Sequence, residues 1–163
     1  MNTLLRKTGA ALALLVAGAS ASAAVTVTYV NTEKMTDVPR FVSDRESMEW
    51  IFKEHLEKLG KDLPAGQDLK VEFLDIDLAG DVFPRVPIQD VRIMKGRADW
   101  PRMTLRYSLE QDGQVLRSGE EKLANPNYQM GINMYKTDLY GYERQMLEDW
   151  FRKDVLQDGG RKK

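Results

Sequence analysis

Three aspartates within seven residues have the types and spacing that could bind a cation. Asp75, Asp77 and Asp81 supply several carboxylate oxygens, the ligands that hard divalent cations prefer. As a calcium loop that begins at Asp75, however, the segment has Ala79 at position five and Val86 at position twelve, where two ligands should stand. The alternative is a strand whose polar face carries the first two aspartates. The sequence therefore predicts, at most, a cation site with an incomplete ligand set.

Other catalytic material is scarce. The sequence contains no cysteine and one histidine, His55, which falls beside the apolar stripe of a predicted helix. A Cys–His pair is therefore impossible, a Ser–His pair would have to form across the fold, and no nucleophile-elbow glycine pattern is present. The sequence favours a non-enzymatic protein without a cofactor. The alternative function is a divalent-cation-binding protein or a carboxylate-based hydrolase centred on the three aspartates.

A second candidate site lies in residues 124–137, which are rich in aromatic and methionine side chains for a solvated connection. Such side chains are enriched at protein interfaces and in ligand grooves. The predicted partner-binding residues are Tyr128, Met130, Met134 and Tyr135. The alternative is that the segment packs these side chains beneath itself.

Hydrophobic alternation predicts the strands that would position both sites. Residues 25–30 indicate a first strand. In residues 68–78 the apolar positions change faces near Phe73, so either both faces are covered or a β-bulge lies there. Asp112-Gly113 separates two alternating runs and predicts a hairpin, because both residues tolerate the positive φ of a type I′ turn. A loop at residues 80–87 and a short strand at residues 91–93 complete this part.

Two amphipathic helices are also predicted. The first begins at a capping box, in which Ser43 bonds the Glu46 amide and the Glu46 carboxylate reaches back. Apolar residues then recur at helical spacing as far as Leu59. The second helix is predicted from about Asp138 to Leu156, with its N-cap at Asp138 or the residue before it.

The order of these elements favours one α+β domain over residues 24–157. We expect a four- to five-stranded, mostly antiparallel sheet with both helices packed on one face. Residues 158–163 follow as a basic tail that we expect to be disordered.

The N-terminal residues predict export. Arg6 and Lys7 precede a short apolar run at residues 10–17, and small residues at 21–23 suit a signal peptidase. We therefore expect residues 1–23 to be a cleavable signal peptide. The apolar run is too short to cross a membrane, which takes about 20 residues. Without cysteine, we expect neither a lipid anchor nor a disulfide.

The charge pattern bears on the partners. The chain has 24 Lys and Arg against 25 Asp and Glu, and the two signs are interspersed. Because no basic stripe with interleaved aromatics occurs, we expect no nucleic-acid partner. The expected partner is another envelope protein or a second copy of the chain.

Several segments together resemble the family called domain of unknown function 3016. The matching segments are residues 63–69, 75–81, 90–93, 100–101, 127–128 and 142–151. They extend from about residue 25 to residue 155. The resemblance implies an exported protein of a Gram-negative bacterium and therefore a periplasmic location. It implies no activity, and no catalytic residue is carried over, so we expect a binding or assembly module of the cell envelope.

Overall fold

A computed structural model describes residues 23–83 and 91–157. The predicted signal peptide, apart from its last residue, and the predicted basic tail lie outside the described residues. In chain order the elements are β1 (Ala24–Tyr29), α1 (Val42–Leu59), β2 (Gln67–Asp77), β3 (Asp81–Phe83), β4 (Val91–Ile93), β5 (Arg102–Gln111), β6 (Gln114–Ala124) and α2 (Gly141–Trp150).

The main sheet has four strands in the order β1-β2-β5-β6. β1 and β2 are parallel and α1 lies in the connection between them, whereas the β2–β5 and β5–β6 pairs are antiparallel. The α+β class predicted from the sequence is confirmed.

Two local predictions about the strands are also confirmed. Asp112 and Gly113 have φ angles of 52° and 77°, as the hairpin between β5 and β6 requires. The register of β2 against β5 shifts between Phe73 and Asp75, where the apolar positions change faces. The bulge lets β2 bury Phe73 before it and Ile76 after it.

Aromatic contacts join the sheet to the helices. Phe52 of α1 lies 6.2 Å from Phe73, and Trp150 of α2 lies 5.5 Å from Tyr107, measured between ring centroids. Phe73 pairs with Leu105, two residues from Tyr107, so these side chains share one face of the sheet. The hydrophobic core lies on this face.

The predicted start of the first helix was wrong. α1 begins at Val42 after Phe41, and no side chain caps it. The Ser43 hydroxyl donates instead to the neighbouring Asp44 carboxylate at 3.2 Å. Since Ser43 is already inside the helix, its backbone cannot adopt the extended conformation that a capping residue needs.

The second helix begins at Gly141, later than predicted. Tyr140, just before it, has a left-handed φ of 56°. A tight turn occupies residues 135–141, where the Asp138 amide donates to the Tyr135 carbonyl at 2.9 Å. A Cβ at Gly141 would collide with that carbonyl, so only glycine fits. The helix ends in a π-helical turn at Phe151–Val155.

β3 lies within residues 80–87, where the sequence predicts a loop, so that prediction is wrong for Asp81–Phe83. β3 and β4 form a separate two-stranded antiparallel sheet, and residues 84–90 between them lie outside the described residues. Gly80 precedes β3 with a φ of 80°, and a Cβ there would collide with the Ile93 carbonyl. No helix in the described part of the chain combines the length and apolar character that a membrane crossing requires.

Candidate functional site

The three predicted cation ligands each have a different partner. Asp75 accepts hydrogen bonds from the Thr36 amide and hydroxyl, both at 2.8 Å. Asp77 accepts from Arg102 Nε at 2.7 Å, and Asp81 pairs with Lys95. Among residues 23–83 and 91–157, no group of three or more His, Cys, Asp or Glu side chains is placed to hold a metal ion. The structure does not bring the three aspartates together as one ligand set.

Two further aspartates lie near Asp77. The Asp37 amide donates to the Ile76 carbonyl at 3.0 Å, which places Asp37 beside the end of β2. Asp99 accepts from the Gly80 amide at 2.8 Å. Burial, with added repulsion from Asp77 and Asp99, raises the pKa of Asp37. The sequence did not indicate this neighbourhood, because Asp37 and Asp99 are far from Asp77 along the chain.

A buried ion pair joins β4 to α2. Glu143 is fully buried and accepts a two-pronged contact from Arg92, with 3.0 Å between Oε2 and Nη1. Glu143 Oε1 also accepts from the Ala79 amide at 3.1 Å, and Arg92 Nε donates to the Ala79 carbonyl at 2.6 Å. Because these bonds satisfy the carboxylate inside the protein, we assign the pair a structural role. Glu143 precedes Leu147 and Trp150 by one and two turns, which was a sequence signal for its burial.

The four predicted partner-binding residues divide into two kinds. Met130 and Met134 are 79% and 77% exposed, and Ile132 between them is 88% exposed. Tyr128 is buried, its hydroxyl accepts from the Gly96 amide at 3.0 Å, and its ring meets Tyr142 edge to face at 4.7 Å. The exposed side chains form what we call the apolar lip: Met130, Ile132 and Met134.

Tyr135 fastens the 124–137 loop to the body of the protein. Its hydroxyl donates to Glu148 at 2.5 Å. Nearby, the Met134 amide donates to Gln145 at 3.0 Å, and the Asn133 side-chain amide donates to the Gly141 carbonyl at 3.3 Å. The loop backbone beneath the apolar lip is therefore held against α2.

His55 supports Tyr135 from α1. The ring is buried, lies 4.9 Å from the Tyr135 ring, and places Nε2 2.8 Å from the Arg144 carbonyl. A carbonyl only accepts, so the neutral ring carries its proton on Nε2. Burial, with repulsion from Arg144, lowers the pKa of His55 to about 4. Burial and the hydrogen bond to Glu148 raise the pKa of Tyr135 to about 12. Neither group is poised for proton transfer near neutral pH.

A groove of about 450 Å³ lies beside the apolar lip, and we call it the loop groove. It is lined by Arg97, Asn125, Asn127, Tyr128, Met130, Gly131, Ile132, Asn133, Tyr142, Gln145 and Asp149. The lining contains one cation and one anion beside several amides, so it does not select strongly for charge. Within the described residues, the Asn127 side-chain amide and the Tyr142 hydroxyl make no hydrogen bond and can serve a ligand.

A trough of about 560 Å³ lies on the polar face of the main sheet. Its charges are paired within the sheet: Lys70 lies 2.9 Å from Glu110, and Arg106 lies 2.7 Å from Glu72. We interpret this face as a solvated surface.

Comparisons with known proteins give one match. The family model described as Protein of unknown function (DUF3016) matches residues 23–153. No curated protein and no solved structure matches the chain. The resemblance seen in the sequence is confirmed.

Proposed function

This chain belongs to the DUF3016 family, a family of unknown function, and on that premise we propose that it is an exported, non-enzymatic binding module of the periplasm. In this proposal the loop groove and the apolar lip hold an extended, uncharged peptide segment of another envelope protein. The observation that carries the proposal is the exposure of Met130, Ile132 and Met134 above a loop that is fixed from behind.

The apolar lip supplies the binding energy. Burying a side chain of this size stabilises a complex by about 1.5–3 kcal/mol before the costs of association. Methionine is flexible and polarisable, so two methionines can adapt to apolar side chains of different shapes. An exposed apolar cluster beside a groove is typical of an interaction surface.

The loop groove supplies the polar contacts. An extended peptide presents alternating N–H and C=O groups, and an amide side chain both donates and accepts. Asn127 and Tyr142 offer such groups at the groove. Because Arg97 and Asp149 balance each other in the lining, an uncharged peptide fits better than a charged one.

The fixed loop favours binding by reducing its entropic cost. Tyr135 and Asn133 tie the backbone beneath the lip to Glu148 and Gly141. A surface that is ordered before binding loses less conformational entropy in the complex.

The non-enzymatic part of the proposal is supported by the state of the titratable groups. His55 is the single histidine, and it is buried, neutral and committed to the Arg144 carbonyl. The buried carboxylate of Glu143 is satisfied by Arg92 and Ala79.

The exported part is supported by the pattern of residues 1–23. We expect the protein in periplasmic extracts to begin at Ala24, which N-terminal sequencing would detect. A cytoplasmic chain that retains Arg6 and Lys7 would contradict this part of the proposal and leave the groove untested.

The groove is tested with selected peptides. A library of short random peptides is selected against the chain expected after cleavage, and calorimetry then measures the affinity of the selected peptides. We expect extended, uncharged peptides, whose affinity falls at least about tenfold for the Met130→Ser/Ile132→Ser/Met134→Ser variant.

The matched control replaces three other exposed apolar residues, Phe41, Val42 and Trp50, by serine. These side chains are 66%, 61% and 61% exposed and do not line the loop groove. The control variant should bind the selected peptides as the original chain does. Selection of no peptide, or equal loss in both variants, would overturn the proposal.

A further inference from the structure

β6 is an edge strand of the main sheet, and it pairs with β5 on one side. It is 11 residues long and lies at the end of the main sheet, with no strand on its outer side in the described part of the chain. Edge strands are normally protected by prolines, bulges, short length or charged side chains, and the charged residues of β6 are Arg117, Glu120, Glu121 and Lys122. β6 contains no proline, and its one register shift lies near the hairpin, between Leu109 and Glu110 of the opposite strand. From Arg117 to Ala124 the strand pairs regularly with β5.

We propose that β6 pairs in antiparallel fashion with β6 of a second copy of this chain, about a two-fold axis at Gly119. This interface is separate from the loop groove and does not rest on the proposed function. The two four-stranded sheets then join into one continuous sheet of eight strands.

Charge complementarity selects this register. With the axis at Gly119, Arg117, whose Nη2 also donates to the Val155 carbonyl, lies opposite Glu121 of the partner subunit, and the symmetry repeats this juxtaposition twice. Both residues lie on the helix-covered face of β6, because they pair with Leu109 and Leu105 of β5. Opposite charges across an antiparallel pair stabilise it, whereas like charges destabilise it.

Neighbouring registers are worse. A two-fold axis perpendicular to the sheet keeps every side chain on its own face of the sheet. The axis must therefore pass through a residue of the strand, so the alternative registers are those centred on residues other than Gly119. An axis at Glu120 or at Glu121 places a carboxylate opposite its own copy. An axis at Ser118 leaves both Arg117 and Glu121 opposite uncharged residues.

Gly119 itself supports the position of the axis. Glycine weakens a strand interior and often marks a close approach of another backbone. The fold of the single subunit does not require it, since a Cβ at this position would make only an ordinary contact with Tyr107 at 3.5 Å. At a two-fold axis, glycine places no side chain opposite its own copy, and a side chain as small as cysteine still fits there.

The first test uses charge reversal, with mass measured by analytical ultracentrifugation over a range of protein concentrations. We expect a concentration-dependent dimer for the chain and a monomer for Glu121→Lys, which faces Arg117 of the partner subunit with a like charge. Mixing Glu121→Lys with Arg117→Glu should restore a dimer. In the mixed dimer, Arg117 of the first variant faces Glu121 of the second, and the new lysine of the first faces the new glutamate of the second, so both ion pairs form. The matched control is Glu120→Lys, the same change on the opposite face beside Ser118 of the partner subunit. It removes only an exposed 3.5 Å contact with Arg106 and should remain dimeric.

The second test determines the register without the Arg117→Glu variant. That variant loses the hydrogen bond from the Arg117 guanidinium to the Val155 carbonyl, and a folding defect caused by this loss would not affect the second test. The chain has no cysteine, so Gly119→Cys introduces a single thiol. Residues opposite each other in antiparallel strands have Cα atoms about 4.5–5.5 Å apart, within disulfide range. Mild oxidation should link Gly119→Cys into a covalent dimer and leave Ser118→Cys largely unlinked. A chain that is monomeric at every concentration, or equal linkage of both cysteine variants, would overturn the proposal.

Discussion

Charged side chains are usually exposed and large apolar side chains are usually buried. The Arg92–Glu143 pair and the apolar lip each depart from one of these two rules. Glu143 is a charged residue in the interior, and Met130, Ile132 and Met134 are apolar residues in solvent. The buried carboxylate receives every bond that it needs from Arg92 and Ala79. The apolar lip has no equivalent partner within the described residues.

The difference separates structure from function. A buried charge whose bonds are all made inside the subunit fixes the local packing of the fold and needs nothing from outside. Exposed apolar side chains on a backbone held in place by Tyr135 form a surface that a ligand can cover. Substitutions at the pair should therefore change stability, and substitutions at the lip should change binding.

The largest expected effect comes from removing one member of the buried pair. Glu143→Ala leaves the Arg92 guanidinium largely buried without its anion, so we expect the free energy of unfolding to fall by about 3–5 kcal/mol. Urea unfolding measures this loss. The double variant Arg92→Met/Glu143→Leu should recover most of it, because an apolar pair of similar volume avoids the buried charge. A loss below about 1 kcal/mol in the single variant would show that water reaches Arg92.

The support behind the loop should be sensitive to acid. The pKa of His55 is about 4 in the folded chain, against 6.5 in the unfolded chain. Between these two values the unfolded chain takes up a proton that the folded chain does not, so stability falls as the pH decreases from about 6.5 to 4. The loss should total up to about 3 kcal/mol.

His55→Gln is the control for this acid sensitivity. The glutamine amide can still donate to the Arg144 carbonyl but does not titrate. The difference in unfolding free energy between the two proteins isolates His55, since Asp37 and Glu148 are present in both. The same pH dependence in both proteins would assign the acid sensitivity to other groups.

A smaller effect is expected from Tyr135→Phe, which should change both the stability of the protein and its affinity for peptides. The variant keeps the ring on His55 and removes the hydroxyl that donates to Glu148, while Arg152 still donates to that carboxylate at 2.7 Å. We expect a loss of about 1 kcal/mol in unfolding free energy. Because the loop is then less ordered, the selected peptides should also bind more weakly. Unchanged binding would show that Tyr135 does not pre-organise the lip.

Elements with local signals were predictable from the sequence. The turn at Asp112 and Gly113 and the bulge near Phe73 follow from neighbouring residues alone. The start of α2 at Gly141 was missed, because it depends on a turn that brings Gly141 against the Tyr135 carbonyl. The capping box at Ser43 was a local signal that the structure does not use.

The candidate site was predictable only by residue type. Tyr135 and Met134 are neighbours with the same preference for interfaces, yet one fastens the loop and the other projects into solvent. Which residue does which depends on His55 and Glu148, contacts that no short sequence pattern encodes. The Arg92–Glu143 pair spans 51 positions and was missed for the same reason.

The smallest stability effect is expected where the binding effect is greatest. Met130→Ser/Met134→Ser removes side chains that are 79% and 77% exposed, so the free energy of unfolding should stay within about 0.5 kcal/mol of the original value. Peptide affinity should fall nonetheless, because the apolar surface that a ligand would cover is gone. Thermal unfolding and calorimetry on one preparation measure both quantities. A clear loss of stability would mean that the two methionines pack against other residues of the subunit. The apolar lip would then serve the fold, as the buried pair does, and would not be a binding surface.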